Sequence, residues 1–189
     1  MTRSITALGA IFLFCTTLPT LATDHLSSEV LTTDAGERIL YHQVILDAPR
    51  DIVWQAYSTA EGWRAWVAPL AEVDLRVGGT IRTNYNPEGE LGDASTNTLT
   101  IVNYVPETLL TLRAELSKNW PKILQEDAEN LTNVLLFEEL SDSKTRLRSY
   151  GIGYRDRPEY DELMTFFIQA NEKLYRGLQD YVAQQRTQP

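Results

Sequence analysis

Pro158-Glu159-Tyr160-Asp161-Glu162-Leu163-Met164-Thr165-Phe166-Phe167-Ile168-Gln169-Ala170-Asn171-Glu172-Lys173-Leu174-Tyr175-Arg176-Gly177-Leu178, running on to Gln185, is the stretch whose reading decides the fold. Leu163, Phe167, Ala170, Leu174 and Leu178 recur at three- and four-residue steps, with Phe166 and Tyr181 beside them. That spacing gives one long helix with an apolar face, and such a face must be buried against something. The rest of the chain supplies the partner, because its period shortens to two over most of its length.

From Glu37, the residues Ile39, Tyr41, Gln43 and Ile45 alternate with Leu40, His42, Val44 and Leu46. Both faces of this strand are fairly apolar, as in a strand with neighbours on each side. Asp47-Ala48-Pro49-Arg50-Asp51 is a helix start, and Ile52, Val53, Ala56 and Tyr57 follow at helical spacing. A second short helix covers Glu61 to Val67 and ends before Pro69. Val73 and Leu75 then lead to the turn at Gly78-Gly79, and Ile81, Thr83 and Tyr85 to a turn at Asn86-Pro87-Glu88-Gly89. Thr98–Val105 and Leu109–Ala114 pair about Pro106-Glu107, and Leu131–Leu140 pairs with Thr145–Ile152 about Ser141-Asp142-Ser143-Lys144. Residues 117–130 read as a polar loop carrying Trp120-Pro121. The expectation is an α+β grip: a curved antiparallel sheet of about six to seven strands wrapped around one long C-terminal helix, with two short helices after the first strand.

Residues 1–22 read as a cleaved signal peptide. Arg3 precedes the apolar run Ile5–Cys15, and small residues sit three and one places before a cut after Ala22. Thr16, Thr17 and Pro19 interrupt this run short of the about 20 apolar residues that a spanning helix needs. Cleavage leaves 167 of the 189 residues and removes Cys15, the sole cysteine. Residues 23–36 form a loose lead-in and residues 37–186 one domain, a length able to bury about 70% of its unfolded surface. The 17 basic and 26 acidic side chains give a net charge of −9, which loss of Arg3 takes to −10. So acidic a surface repels phosphate backbones and anionic headgroups, which argues against nucleic-acid binding. The expected location is periplasmic or secreted, with no stable membrane span after cleavage; the oligomeric state stays open.

Val44–Pro49, Val53-Trp54-Gln55-Ala56, Glu61-Gly62-Trp63 and Trp66 are followed by Glu72–Gly79, Val105–Leu109 and Thr145-Arg146-Leu147. In this order the chain resembles the SRPBCC (START-like, helix-grip) superfamily over residues 38–185. Within it, the branch it resembles is the one named after the activator of the heat-shock-protein ATPase, close to polyketide cyclase-dehydratase type domains. The resemblance implies a deep cavity between sheet and long helix, used by relatives for lipids, sterols and polyketides. Some relatives do chemistry there and others only carry or sense. Fold does not carry function with it, and chaperone activation suits poorly a chain directed away from a cytosolic ATPase.

The aromatic set Trp63, Trp66, Tyr85, Trp120, Phe166 and Phe167, with Ala170, is the expected cavity lining. Trp120, in a polar loop, is the candidate lid residue. For catalysis the residues offer only Tyr150, Arg82 and His42 as proton handlers, and Glu138-Glu139 on one strand point to opposite sides. No cofactor is implied. A zinc site has no ligand set, because a mature chain with two distant histidines (His25 and His42) and no cysteine cannot build one. The expected function is therefore an exported carrier or binding protein for an apolar or amphipathic molecule. The alternatives are a cyclase- or dehydratase-like enzyme acting in the same cavity, and an envelope protein-interaction module without ligand.

Overall fold

A computed structural model describes residues 25–116 and 120–185. The signal peptide read over residues 1–22 lies outside the described residues. Among the described residues no helix is long and apolar enough to cross a membrane.

The elements follow in the order β1 (Leu26–Thr32), β2 (Arg38–Leu46), α1 (Arg50–Ser58), α2 (Ala60–Trp66), β3 (Leu70–Val73), β4 (Thr80–Asn84), β5 (Asn97–Val105) and β6 (Leu109–Glu115). Then come α3 (Lys122–Asp127), β7 (Thr132–Ser141), β8 (Lys144–Tyr154) and α4 (Glu159–Gln185). The strands form one antiparallel sheet ordered β1-β2-β8-β7-β6-β5-β4-β3. This is the expected helix grip, with eight strands where six to seven were expected.

The extra strand corrects the reading of residues 23–36 as a loose lead-in. Leu26, Ser28 and Val30 alternate inward along β1, which pairs with β2 from Leu26↔Val44 to Thr32↔Arg38. The polar residues that suggested a loop are the hairpin turn itself, closed by Gly36 N–H to Thr33 O (2.9 Å) and Thr33 N–H to Glu37 O (2.9 Å). Residues 117–130, read as a loop, contain the short helix α3. Its Asp127 is 1% exposed, accepts a hydrogen bond from the Tyr160 hydroxyl (2.9 Å) and pairs with Arg155. A buried carboxylate needs such partners, and here they tie α3 to the start of α4.

Helices α1 and α2 meet at Thr59, whose Oγ1 accepts from Gly62 N–H (3.0 Å) as the cap of α2. The end of α1 leaves carbonyls without helical partners, and two indoles fill that need. Trp63 Nε1–H donates to Tyr57 O (2.7 Å) and Trp66 Nε1–H to Ala56 O (2.9 Å). Both rings are thereby fixed against Tyr57.

Helix α4 is pinned at its two ends. Tyr160 and Met164 join a cluster with Leu40 and Leu124, while Tyr175, Leu178 and Val182 join the larger core with Val44, Leu46, Val53, Leu135 and Leu147. Between the ends, Phe167, Ala170, Asn171 and Leu174 are only half-buried and face a cavity. The apolar stripe read from the sequence thus serves two purposes, packing at its ends and lining in its middle.

The difference is measurable by truncation. Leu178 is 0% exposed within packed core, so Leu178→Ala is expected to cost about 2–5 kcal/mol of unfolding free energy. Leu174 borders open space on one side, so Leu174→Ala is expected to cost about half as much or less, because fewer contacts are lost. Urea-unfolding midpoints measure both, and equal losses would contradict an open cavity.

Candidate functional site: a closed-ended cavity with a polar floor

Between the two pinned ends of α4, the helix and the sheet leave a cavity of about 490 Å³. Every layer contributes to it. β2 supplies Leu40 and His42, α1 and α2 supply Tyr57, Trp63 and Trp66, and the central strands supply Leu112, Asn133, Leu135 and Ser149. Helix α4 closes the other side. Trp120 and Leu124 cover one end, as part of the second hydrophobic cluster rather than of an open loop.

All seven residues read from the sequence as lining border this one cavity: Trp63, Trp66, Tyr85, Trp120, Phe166, Phe167 and Ala170. They fall in two aromatic groups. Tyr57, Trp63 and Trp66 stack edge-on or tilted with centroids 5.0–6.1 Å apart. Phe167 meets Phe166 at 5.6 Å, Trp120 at 6.3 Å and Tyr154 at 6.4 Å. Phe166 and Tyr85 are each 56% exposed and form the rim.

The three proton-handler candidates do not converge. Arg82 lies on the opposite face of β4 from the inward Ile81 and Thr83, paired with Glu72 beside a shallow surface depression. Tyr150 stands on the outer face of β8 against Tyr41, centroids 5.1 Å apart. Strand alternation decides both cases, since each neighbours a residue that must face the core. The outer face also takes Glu138, paired with Arg146 and Arg148 (both 3.1 Å). Glu139 instead pairs with Arg50 at 3.5 Å.

Only His42 faces inward, 1% exposed. Its two ring nitrogens are both engaged: Asn171 Nδ2–H donates to Nε2 (3.1 Å), and Nδ1–H therefore donates to Ser28 Oγ (2.9 Å). The donation from Asn171 fixes the neutral Nδ1–H form and occupies the lone pair a general base would use. Directly across the β2–β8 pair sits Ser149, whose Oγ–H donates to Asn133 Oδ1 (2.8 Å). Tyr175 closes the group, its ring centroid 5.3 Å from that of His42. Burial pushes its phenol up to about 12. Ser28, His42, Asn171, Tyr175, Ser149 and Asn133 thus form one uncharged polar floor at neutral pH.

Sequence reasoning missed most of this floor. A signal was present: Asn133 occupies an inward strand position with Leu135 and Phe137, and Asn171 interrupts the apolar stripe between Phe167 and Leu174. Among the described residues no group of three or more His, Cys, Asp or Glu is placed to hold a metal ion.

Burial holds His42 down to about 4 from its ordinary 6.5, against the opposing pull of the Glu172 charge. The unfolded chain therefore binds a proton near pH 6.5 that the folded chain refuses until about pH 4. His42 has no effect on stability above that window, and as pH falls through it the folded state loses up to about 3 kcal/mol. His42→Gln is expected to make the decline of the urea midpoint between these pH values shallower than in the wild type. Equal slopes would contradict a buried, neutral His42.

The solved structures similar to this chain share this architecture. The Aha1 dimer from Colwellia psychrerythraea superposes with a TM-score of 0.60 at 15% identity, covering 76% of this chain and 95% of that one. CalU16 from Micromonospora echinospora gives 0.58 at 17% identity, covering 83% and 85%. The di-domain aromatase/cyclase BexL of the BE-7585A biosynthetic pathway gives 0.57 at 18%, covering 77% of this chain and 46% of that one. At these identities the likeness is one of fold. No curated protein sequence matches the chain. The family model described as activator of Hsp90 ATPase homolog 1-like protein matches residues 47–183, from the start of α1 through the cavity to the buried end of α4, and the chain belongs to that family.

Proposed function

We propose that the protein is an exported carrier or binding protein for an apolar or amphipathic small molecule held in the cavity under α4. The observation that carries this reading is the cavity itself: about 490 Å³, walled by two aromatic groups, with exposed Phe166 and Tyr85 at its mouth. A volume of that size is in the range of small-molecule sites, about 300–1,000 Å³. Exposed aromatics at the rim of a pocket are where an apolar ligand first leaves water. The polar floor supplies a few fixed hydrogen-bonding groups, which is the usual composition of a site that orients an otherwise apolar guest.

A cyclase- or dehydratase-like activity in the same cavity is the alternative, supported by the fold shared with a cyclase domain. It is disfavoured by the positions of Arg82 and Tyr150 outside the cavity and by the full engagement of His42. Export rests on the leader read over residues 1–22.

Protein purified from its host is expected to release a small apolar molecule on denaturation, detectable by mass spectrometry. An uncharged naphthylamine dye is expected to bind with saturable fluorescence gain, and Trp120→Ala or Phe167→Ala to weaken it by about tenfold, about 1.4 kcal/mol, with the fold intact by circular dichroism. Undiminished binding in both variants would place the dye elsewhere and remove the main support for the reading. For export, the intact mass of protein from the host is expected to lack residues 1–22; a retained leader would contradict it.

A further inference from the structure

The polar floor carries an inference about what the cavity selects, and it rests on the carrier reading above. No Lys or Arg borders the cavity among the described residues, and the one acid that does, Glu115, is engaged by Thr100 Oγ1–H at 3.2 Å in an exposed position. The other polar groups that border the cavity are carboxamides, hydroxyls, phenols and a neutral imidazole. Those of the floor bond partly to one another. His42 is used at both nitrogens, Ser149 donates to Asn133, and Asn171 spends one N–H on His42.

Within the floor, both carboxamides keep hydrogen-bonding capacity that is unused among the described residues. Asn133 accepts through Oδ1 and keeps its N–H₂ donors; Asn171 donates through Nδ2 and keeps its Oδ1 acceptor. One carboxamide comes from the sheet and the other from the helix, and both border the same cavity. A donor and an acceptor facing one space are satisfied together by a hydroxyl group, which offers both. A carboxylate or an ammonium would enter a site with no opposite charge to meet it, and an unpaired buried charge is strongly penalised.

We propose that the cavity selects an uncharged, hydroxyl-bearing apolar molecule, with Asn133 donating to the hydroxyl oxygen and Asn171 accepting its proton. Selection against charged heads follows from the same arrangement. The site discriminates by what it lacks as much as by what it offers, since each missing partner leaves a buried group unsatisfied.

Four matched aromatics test this against the wild-type protein at neutral pH: naphthalene, naphthol, naphthoate and naphthylmethylammonium, each displacing the naphthylamine dye. Naphthol is expected to bind tightest, at least about tenfold tighter than either charged compound. Asn133→Leu and Asn171→Leu are each expected to cut the preference for naphthol over naphthalene by about tenfold. Naphthoate or naphthylmethylammonium binding as tightly as naphthol would overturn the proposal, as would variants that keep the full preference for naphthol. Should either variant fail to fold, the wild-type ranking alone decides. If the dye itself does not bind, the carrier reading fails first; if the dye binds and the four compounds bind alike, only the selectivity proposal fails.

Discussion

Helix α4 has 27 residues and an apolar stripe along its length, yet only its two ends find close-packed partners. The sheet beneath it has eight strands, and the helix packs closely towards its two ends while its middle borders the cavity. Most of what matters in the molecule depends on this mismatch. Packed interiors are dense, and an unfilled space of this size forfeits dispersion contacts along its whole lining. The fold meets that loss with rigid aromatics fixed at their edges. Trp63 and Trp66 are anchored by the free carbonyls of α1, and Phe167 by Trp120 and Tyr154.

The second cluster shows how the far end is kept in place. Asp127 is buried on a six-residue helix and shared between Tyr160 and Arg155. One carboxylate therefore links α3, the end of β8 and the first turn of α4. The first turn of α4 carries Glu159, Asp161 and Glu162, placed where acids favour the helix dipole. Arg38 on β2 reaches Asp161 at 2.7 Å. These contacts hold Trp120 and Leu124 over one end of the cavity, so the covering of that end and the start of the long helix form one mechanical unit.

The long helix, the two short helices and the central hairpins were legible because each rests on local periodicity or on a turn residue of fixed geometry. The aromatic lining was legible too, as a set rather than residue by residue, because large side chains at inward positions are what a hollow grip needs. What the sequence did not yield is tied to pairing over distance. β1 is polar and short, and only its register with β2 makes it a strand. α3 depends on partners 28 and 33 residues away, Arg155 and Tyr160. Arg82 and Tyr150 look catalytic in isolation, and only the phase of their strands turns them outward. Asn133 and Asn171 carried a signal, a polar group at an apolar position, but its meaning required seeing both amides border one space.

The central claim is that the space under the middle of α4 accepts a guest while the packed core around it does not change. The chain's four tryptophans offer a direct test, because Trp63, Trp66 and Trp120 border the cavity while Trp54 is packed against Tyr104 and Phe137 outside it. Titration with naphthol, followed by the indole N–H resonances in two-dimensional nitrogen–proton NMR, separates the two environments in one experiment. The account predicts saturable shifts for Trp63, Trp66 and Trp120 with Trp54 essentially unmoved. No shift at the three cavity tryptophans, or equal shifts at all four, would contradict it.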